Sequence, residues 1–406
     1  MNMRILCMAL LMAVQCKGFA LQLNVEEAWQ LVQRNYLPLQ MKGKEVEMAM
    51  AAKKQEQLWD NPELSISHNI NNPVTHRYFE FNQEGETDIQ LSQRIYIGGQ
   101  RAERVRKATA TLRRAEYEQA DGQRLLRREL CSLMVTLASM QQKMEVINKE
   151  IDSASKILKA YEEQLSKGNV AAVEVVRMRS QRMQLLQEKA MLTNDMNEQR
   201  QQLRLLTGCD VTPHVDYVAS MALLATTTKP KILDGLAIRA DVLADKQDIV
   251  SAEHEMRLQK ANALPEVNIV GEWDKNGNIG HNYFAVGVSL SVPIFNRNQG
   301  SRKLAKAALD AKRIQQEWNY RQAWSEIDRN WDKLMLAQQM AQETAKHLEG
   351  DNEHMMAQME SQYLRHNISL LQLLDYYQTY KENHYLAIES KRDVLLAMAE
   401  LDLEIK

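Results

Sequence analysis

The sequence predicts a mainly α protein with a small β part and an internal two-fold repeat. Three observations carry that prediction. Ala, Leu, Met, Gln, Glu, Lys and Arg fill the long middle stretches, while aromatics make up 6% and glycine and proline number only 15 and 7 in 406 residues. This mixture suits long helices rather than stacked globular cores. Leu126, Leu130, Leu133, Leu137, Met140, Met144, Ile147, Ile151, Ala154, Leu158, Tyr161 and Leu165 recur at alternating steps of four and three, the seam of a left-handed coiled coil. By contrast, "VGVSLSVPIFNRNQG" at 286–300 alternates Val286, Val288, Leu290 and Val292 with Gly287, Ser289 and Ser291, which is the period of a strand.

Residues 1–20 read as a signal peptide. Arg4 precedes an apolar run from Ile5 to Val14, and Gly18-Phe19-Ala20 offers a small-x-small site for cleavage after Ala20. The run is too short for a transmembrane helix, and no later run reaches that length. Cys16 leaves a lipoprotein signal open as an alternative, although Gln15 stands where a small residue is usual. Either reading implies export. Cys131 and Cys209 then remain, too few for a disulfide framework, with Cys131 read as a small helix-packing residue.

After this segment the chain runs twice through the same order of helix, strand, strand, long helix, turn and helix. The first repeat covers 21–208, with strands near 63–71 and 86–96, a long helix near 100–166 and a helix near 170–207. Asn24 followed by Glu27 reads as a capping box opening its first helix. Gly208, Pro213, Pro230 and a Thr run break the heptads in a joint at 209–230. The second repeat covers 231–406, with strands near 266–273 and 283–292, a long helix near 299–364 and a helix near 368–405. Pro62-Glu63-Leu64 matches Pro265-Glu266-Val267 at an offset of 203, and "KGNVAAVEVV" at 167–176 matches "RHNISLLQLL" at 365–374 at an offset of 198. Gly168-Asn169 and His366-Asn367 are where the long helices fold back, because Gly and Asn tolerate positive φ.

Each strand approaches the 9 to 11 residues that a tilted strand needs to cross a bilayer, and each alternates an apolar face with a polar or small one. About eight strands is the smallest number that closes a barrel in a membrane, so four cannot close one alone. Either this sheet packs on a core that the composition hardly supplies, or several chains pool their strands. With 51 basic and 53 acidic residues the net charge is −2, leaving no electrostatic footprint for nucleic acid.

In order and local wording the chain resembles the TolC family of bacterial outer-membrane efflux channels over nearly its whole length after residue 20. The stretches that carry the resemblance are "LNVEEAWQLVQRN", the strand-to-helix joints "YIGGQR" and "PIFNRNQG", the tip-and-return stretch beginning "GNVAAVEVVRMRS" and its counterpart beginning "NISLLQLLDYYQTY". The resemblance implies a homotrimer in which each protomer gives four strands to one twelve-stranded outer-membrane β-barrel, continued by a long α-helical coiled-coil barrel in the periplasm of a Gram-negative bacterium. Val286, Val288, Leu290 and Val292 would then face outer-membrane lipid, with Gly287, Ser289 and Ser291 toward the lumen. The implied function is passive export, the cargo being handed over by a periplasmic adaptor (membrane fusion protein) and an inner-membrane pump of RND type. No catalytic residues, cofactor or metal site are expected, since no nucleophile, acid-base pair or phosphate loop is present.

The family commonly carries two aspartates three apart just after the second tip. "QLLD" aligns Asp375 with one and puts Gln372 in place of the other, while the 198 offset sets Arg177 opposite Asp375 and Glu174 opposite Gln372. These four are the candidates for the pore aperture, where a three-fold axis multiplies each charge into a ring. Arg177 and Asp375 read either as a closed-state pair or as solvated helix-face charges. Lys167, Gly168, Asn169, Arg365, His366 and Asn367 are candidates for docking the adaptor, as well as ordinary turn residues.

"PIFNRNQG" resembles the joint of the heavy-metal branch of the family, so divalent or heavy-metal cations are the leading cargo. A drug, small-molecule or type I secretion exporter is the alternative within transport, and a secreted coiled coil without a pore is the alternative from another class. His347, His354, Met355, Met356 and Met359 include soft ligands for Cu(I), but methionine at helical spacing ordinarily fills gaps in a core.

Overall fold

The computed structural model describes residues 21–72, 75–81, 84–168, 170–277, 280–348, 352–365 and 367–405. The signal segment with Cys7 and Cys16 lies outside the described residues, as do Asn169 and His366. In chain order the elements are β1 (Leu21–Leu23), α1 (Val25–Asn35), α2 (Leu37–Glu56), β2 (Glu63–His68), β3 (Asn71–Asn72), β4 (Arg77–Tyr78) and β5 (Thr87–Ile95). There follow α3 (Gln100–Ser166), α4 (Ala172–Thr207), β6 (Val211–Pro213), α5 (Tyr217–Leu224), α6 (Lys229–Leu236) and α7 (Ala240–Ala261). The chain continues with β7 (Glu266–Gly277), β8 (Gly280–Ser291), α8 (Gln299–Leu348), α9 (Asn352–Leu364) and α10 (Leu370–Glu400).

Contacts divide the chain into two units. One comprises Met41–Asp121 and Ala237–Gln322 and holds a four-stranded sheet in the order β2-β5-β7-β8, antiparallel throughout. Its register fixes which side chains share a face, because neighbours alternate along a strand. Ile66 pairs with Ile89, Ile89 with Trp273 and Trp273 with Phe284, while Leu64 pairs with Leu91, Leu91 with Gly271 and Gly271 with Val286. Ser65, Gln90, Glu272 and Ala285 form the corresponding row on the opposite face. Both β5 and β8 lead into a helix in the same way: Gly99 (φ 75°) and Asn298 (φ 56°) adopt the left-handed conformation just before Gln100 and Gln299 open α3 and α8. Gln100 is buried and donates to the Ala261 carbonyl at 3.0 Å, while Asn298 Nδ2 donates to the Gln259 carbonyl at 2.9 Å. The helical part of this unit is laced with charge, including Arg114–Asp248 and Lys107–Glu255 at 2.7 Å each.

The other unit comprises the described residues of Met1–Gln40, Gly122–Leu236 and Ala323–Lys406. It begins with the parallel pair β1–β6, in which Leu21 stands opposite Val211 and Leu23 opposite Pro213. Next comes the capping box: Asn24 Oδ1 accepts from the Glu27 N–H at 2.9 Å and Glu27 Oε2 from the Asn24 N–H at 3.0 Å. This satisfies two of the donors that a helix start leaves bare. Along α3, Leu126, Leu130, Leu133, Leu137, Ile147, Ala154, Leu158 and Tyr161 of the heptad seam are buried. So are Met134, Val135 and Ile157 between them, and the apolar stripe is therefore wider than a two-stranded seam. Cys131 and Cys209 are buried, and burial pushes the Cys131 thiol up to about 11.

Several local readings change. The joint at 209–230 carries β6, α5 and the start of α6. The helix expected over 299–364 consists of α8 and α9, with 349–351 outside the described residues. Val292 lies one residue past the end of β8. Among the described residues no helix is long and apolar enough to cross a membrane.

Candidate functional site

The turn after α3 is built by its backbone. Lys167 N–H donates to the Gln164 carbonyl at 3.1 Å and Gly168 N–H to that of Leu165 at 3.0 Å, with Gly168 at φ 77°. A Cβ there would meet nothing within 4 Å, so glycine is needed for its conformation and not for space. After α9, Arg365 N–H donates to Ser361 at 3.1 Å and Asn367 N–H to Gln362 at 2.9 Å, while Asn367 Nδ2 donates to Gln362 Oε1 at 2.6 Å. Ser369 then caps α10 in a second capping box: Gln372 Oε1 accepts from the Ser369 N–H at 2.8 Å, and Ser369 Oγ accepts from the Gln372 N–H at 3.3 Å. The Ser369-x-x-Gln372 spacing is the sequence signal of this box, and it gives Gln372 a capping role beside its place among the aperture candidates. Ala172 and Leu370, which open the two return helices, stand 198 residues apart.

Four helices meet behind these turns. Ala154, Ile157, Leu158 and Tyr161 of α3 pack with Val175, Met178 and Leu185 of α4, Tyr363 of α9, and Leu370, Leu373 and Tyr377 of α10. Tyr161 and Tyr363 stack with centroids 5.1 Å apart. Because Leu373 and Tyr377 point inward, helical geometry turns Gln372 and Asp375 outward, and both are exposed. Val175 and Met178 do the same for Glu174, which is half-buried, and Arg177, which is exposed. Within the chain, among the described residues, Arg177 and Asp375 form no ion pair with each other. All four aperture candidates thus lie off the packed core.

A polar seam adjoins this core. Tyr377 Oη lies 2.7 Å from Ser153 Oγ and donates to Glu360 Oε1 at 3.0 Å, and Ser153 donates to the same carboxylate. Further along α10, Lys381 Nζ reaches Glu188 Oε2 at 2.8 Å and Tyr385 Oη donates to Glu188 Oε1 at 3.2 Å. Burial raises the Tyr377 and Tyr385 hydroxyls well above the usual phenol range, and it pushes the buried Glu150 up to about 7. Tyr377, Lys381 and Tyr385 stand four apart, a helical stripe that the sequence reading passed over.

On the sheet, Val286 is 84% exposed, and Val288, Leu290 and Val292 are exposed as well. Met356 and Met359 pack against the tip core, whereas the side chains of His347, His354 and Met355 lie outside the described residues. Among the described residues no three His, Cys, Asp or Glu side chains cluster so as to hold a metal ion.

The sequence model of the family described as "Outer membrane efflux protein" matches residues 29–209. The chain is 20% identical over 297 residues to the cobalt-zinc-cadmium resistance protein CzcC of Cupriavidus metallidurans, covering 73% of this chain and 68% of that one. Among solved structures it superposes on CusC with a TM-score of 0.76 at 15% identity, covering 95% of this chain and 92% of that one. The outer membrane protein VceC of Vibrio cholerae gives 0.72 at 15%, covering 93% and 94%. At such identities the structural likeness speaks for the fold alone. The likeness to the outer membrane efflux protein family is thus carried by residues 29–209, within about the first half of the chain.

Proposed function

We propose that three copies of this chain form a passive duct through the outer membrane of a Gram-negative bacterium. A periplasmic adaptor and an inner-membrane pump of RND type would deliver heavy-metal cations to it. The observation that carries the reading is the sheet register, which gathers Leu64, Ile66, Ile89, Leu91, Trp273, Phe284, Val286, Val288 and Leu290 on one face. Leu64, Ile66, Leu91, Phe284, Val286, Val288 and Leu290 are exposed in the single chain. Seven large apolar side chains in water would cost on the order of 10 kcal/mol, a cost that lipid removes. Closing the sheet with two further copies also removes its bare edges. The chain works without catalysis in this reading, its residues supplying only a path.

Asp375, Gln372, Arg177 and Glu174 line the constriction at the tips. Lys167, Gly168, Asn169, Arg365, His366 and Asn367 meet the adaptor. Metal as cargo rests on the likeness to CzcC and on the form of the "PIFNRNQG" joint. The test is the cellular zinc, copper, cobalt and nickel content of a deletion strain, measured beside retention of a fluorescent dye, with and without the restored gene. Metal accumulation with unchanged dye efflux is expected. Dye retention with normal metal content would overturn the cargo and leave the duct.

A further inference from the structure

We propose that the polar seam of the tip bundle is a protonation-controlled latch: neutral Glu150 keeps α3, α4 and α10 packed, and ionised Glu150 loosens them. What this does to transport rests on reading the tips as the constriction.

Glu150 is 1% exposed, and its Oε1 has no hydrogen-bond partner. The groups around it are otherwise engaged. Glu188 faces it from α4, and Tyr377, Lys381 and Tyr385 face it from α10. Lys381, the cation whose charge acts on Glu150, spends its ammonium on Glu188 at 2.8 Å, and the Tyr385 hydroxyl goes to the same carboxylate. On α3 itself, Lys143 pairs with Glu389 and lies 4.9 Å from the centroid of the Tyr385 ring. One turn beyond Glu150, Ser153 is taken by Tyr377 and by Glu360 of α9.

Lys381 and Glu188 therefore balance each other, and a charge on Glu150 would be a second carboxylate beside the first with no cation of its own. A buried charge without a partner is among the costliest things a fold can hold. Leucine at this position would pack the bundle better, so a carboxyl here gives up stability for a capacity that leucine lacks, the uptake and loss of a proton. Burial raises the Glu150 carboxyl from 4.5 to about 7, with Lys381 pulling it down and Glu188 pushing it up. A raised carboxyl means that the packed state binds the proton more tightly than the opened one. Packing is thus firmest below pH 4.5, weakens as pH rises toward about 7, and changes little above that. By this linkage the equilibrium shifts toward opening by up to about 100-fold between pH 5 and pH 8.

The test is hydrogen exchange of the full chain, reconstituted in lipid nanodiscs, read by mass spectrometry at pH 5 to 8 and corrected for intrinsic exchange rates. Opening of the segments around Glu150 and around 377–385 should increase by about 10-fold to 100-fold across that range in the parent chain and stay flat in Glu150→Gln. The same pH response in both chains, or none in the parent, would overturn the latch. Should Glu150→Gln fail to fold, Lys381→Met gives an independent reading. Loss of the cation must move the transition to higher pH, and an unmoved midpoint counts against the proposal. Single-channel conductance recorded alongside separates the two ideas: exchange that follows pH while conductance does not would uphold the latch and sink the reading of the tips as the constriction.

Discussion

The tip bundle and the four-stranded sheet are made from similar apolar residues put to opposite use. Behind the tips, Leu373 is 0% exposed and Tyr377 1%, each enclosed by side chains of the same chain. In the sheet, Val286 is 84% exposed and Phe284 74%. The bundle brings its own interior, whereas the sheet is designed for surroundings that a single chain does not supply. A surface of that kind marks an interaction face and not a flaw in packing.

The comparison can be broken most directly at Leu373. Leu373→Ala should cost about 2 to 5 kcal/mol, because four helices converge on it and cannot collapse into the space it leaves. Calorimetry of the purified chain would show the drop, and a loss below 1 kcal/mol would mean that the bundle leans on something outside the chain. Next comes Val288→Arg on the exposed strand face, expected to cost about 2 to 4 kcal/mol in a bilayer if the residue sits at mid-depth. In detergent-free solution the same change would cost nothing, so an unaltered yield of membrane-inserted, heat-stable oligomer would show that this face does not meet lipid.

Gly168→Ala is a smaller probe. It forces a Cβ into the left-handed conformation at a cost of about 1 to 2 kcal/mol, visible as faster proteolysis at the tip turn and not as global unfolding. Cleavage at the parent rate would show that the turn has room to change its backbone. Last, Asp375→Ala should leave stability within about 0.5 kcal/mol, since the side chain is exposed and outside the core. Its effect belongs in conductance and cation preference, and if both stay as in the parent chain the aperture reading fails at this residue.

The sequence revealed most where a period repeats many times. The strands showed themselves by alternation, β8 above all, and α3 by twelve seam positions without a miss. The Asn24 box was legible because two residues three apart carry the whole signal. The β1–β6 pair was not, since three-residue strands have no period and the partners lie far apart in sequence. Gln372 was legible as a cap but was weighed only as an aperture residue. Glu150 was hidden for a different reason: it flanks the heptad seam, and only the arrival of α4 and α10 turns an apparently ordinary surface glutamate into a buried one.

The pairing of Leu21–Leu23 with Val211–Pro213 has a kinetic side. Residues near the start of the described chain become a strand only when a partner some 190 positions later arrives, and a loop of that length closes late and slowly. The clasp cannot form until β5, α3 and α4 have all been made, so it marks the point at which the first half of the chain can close on itself. Until Val211–Pro213 arrives, Leu21–Leu23 has no strand to pair with, so protection of that end is expected to lag behind that of α3 and α4.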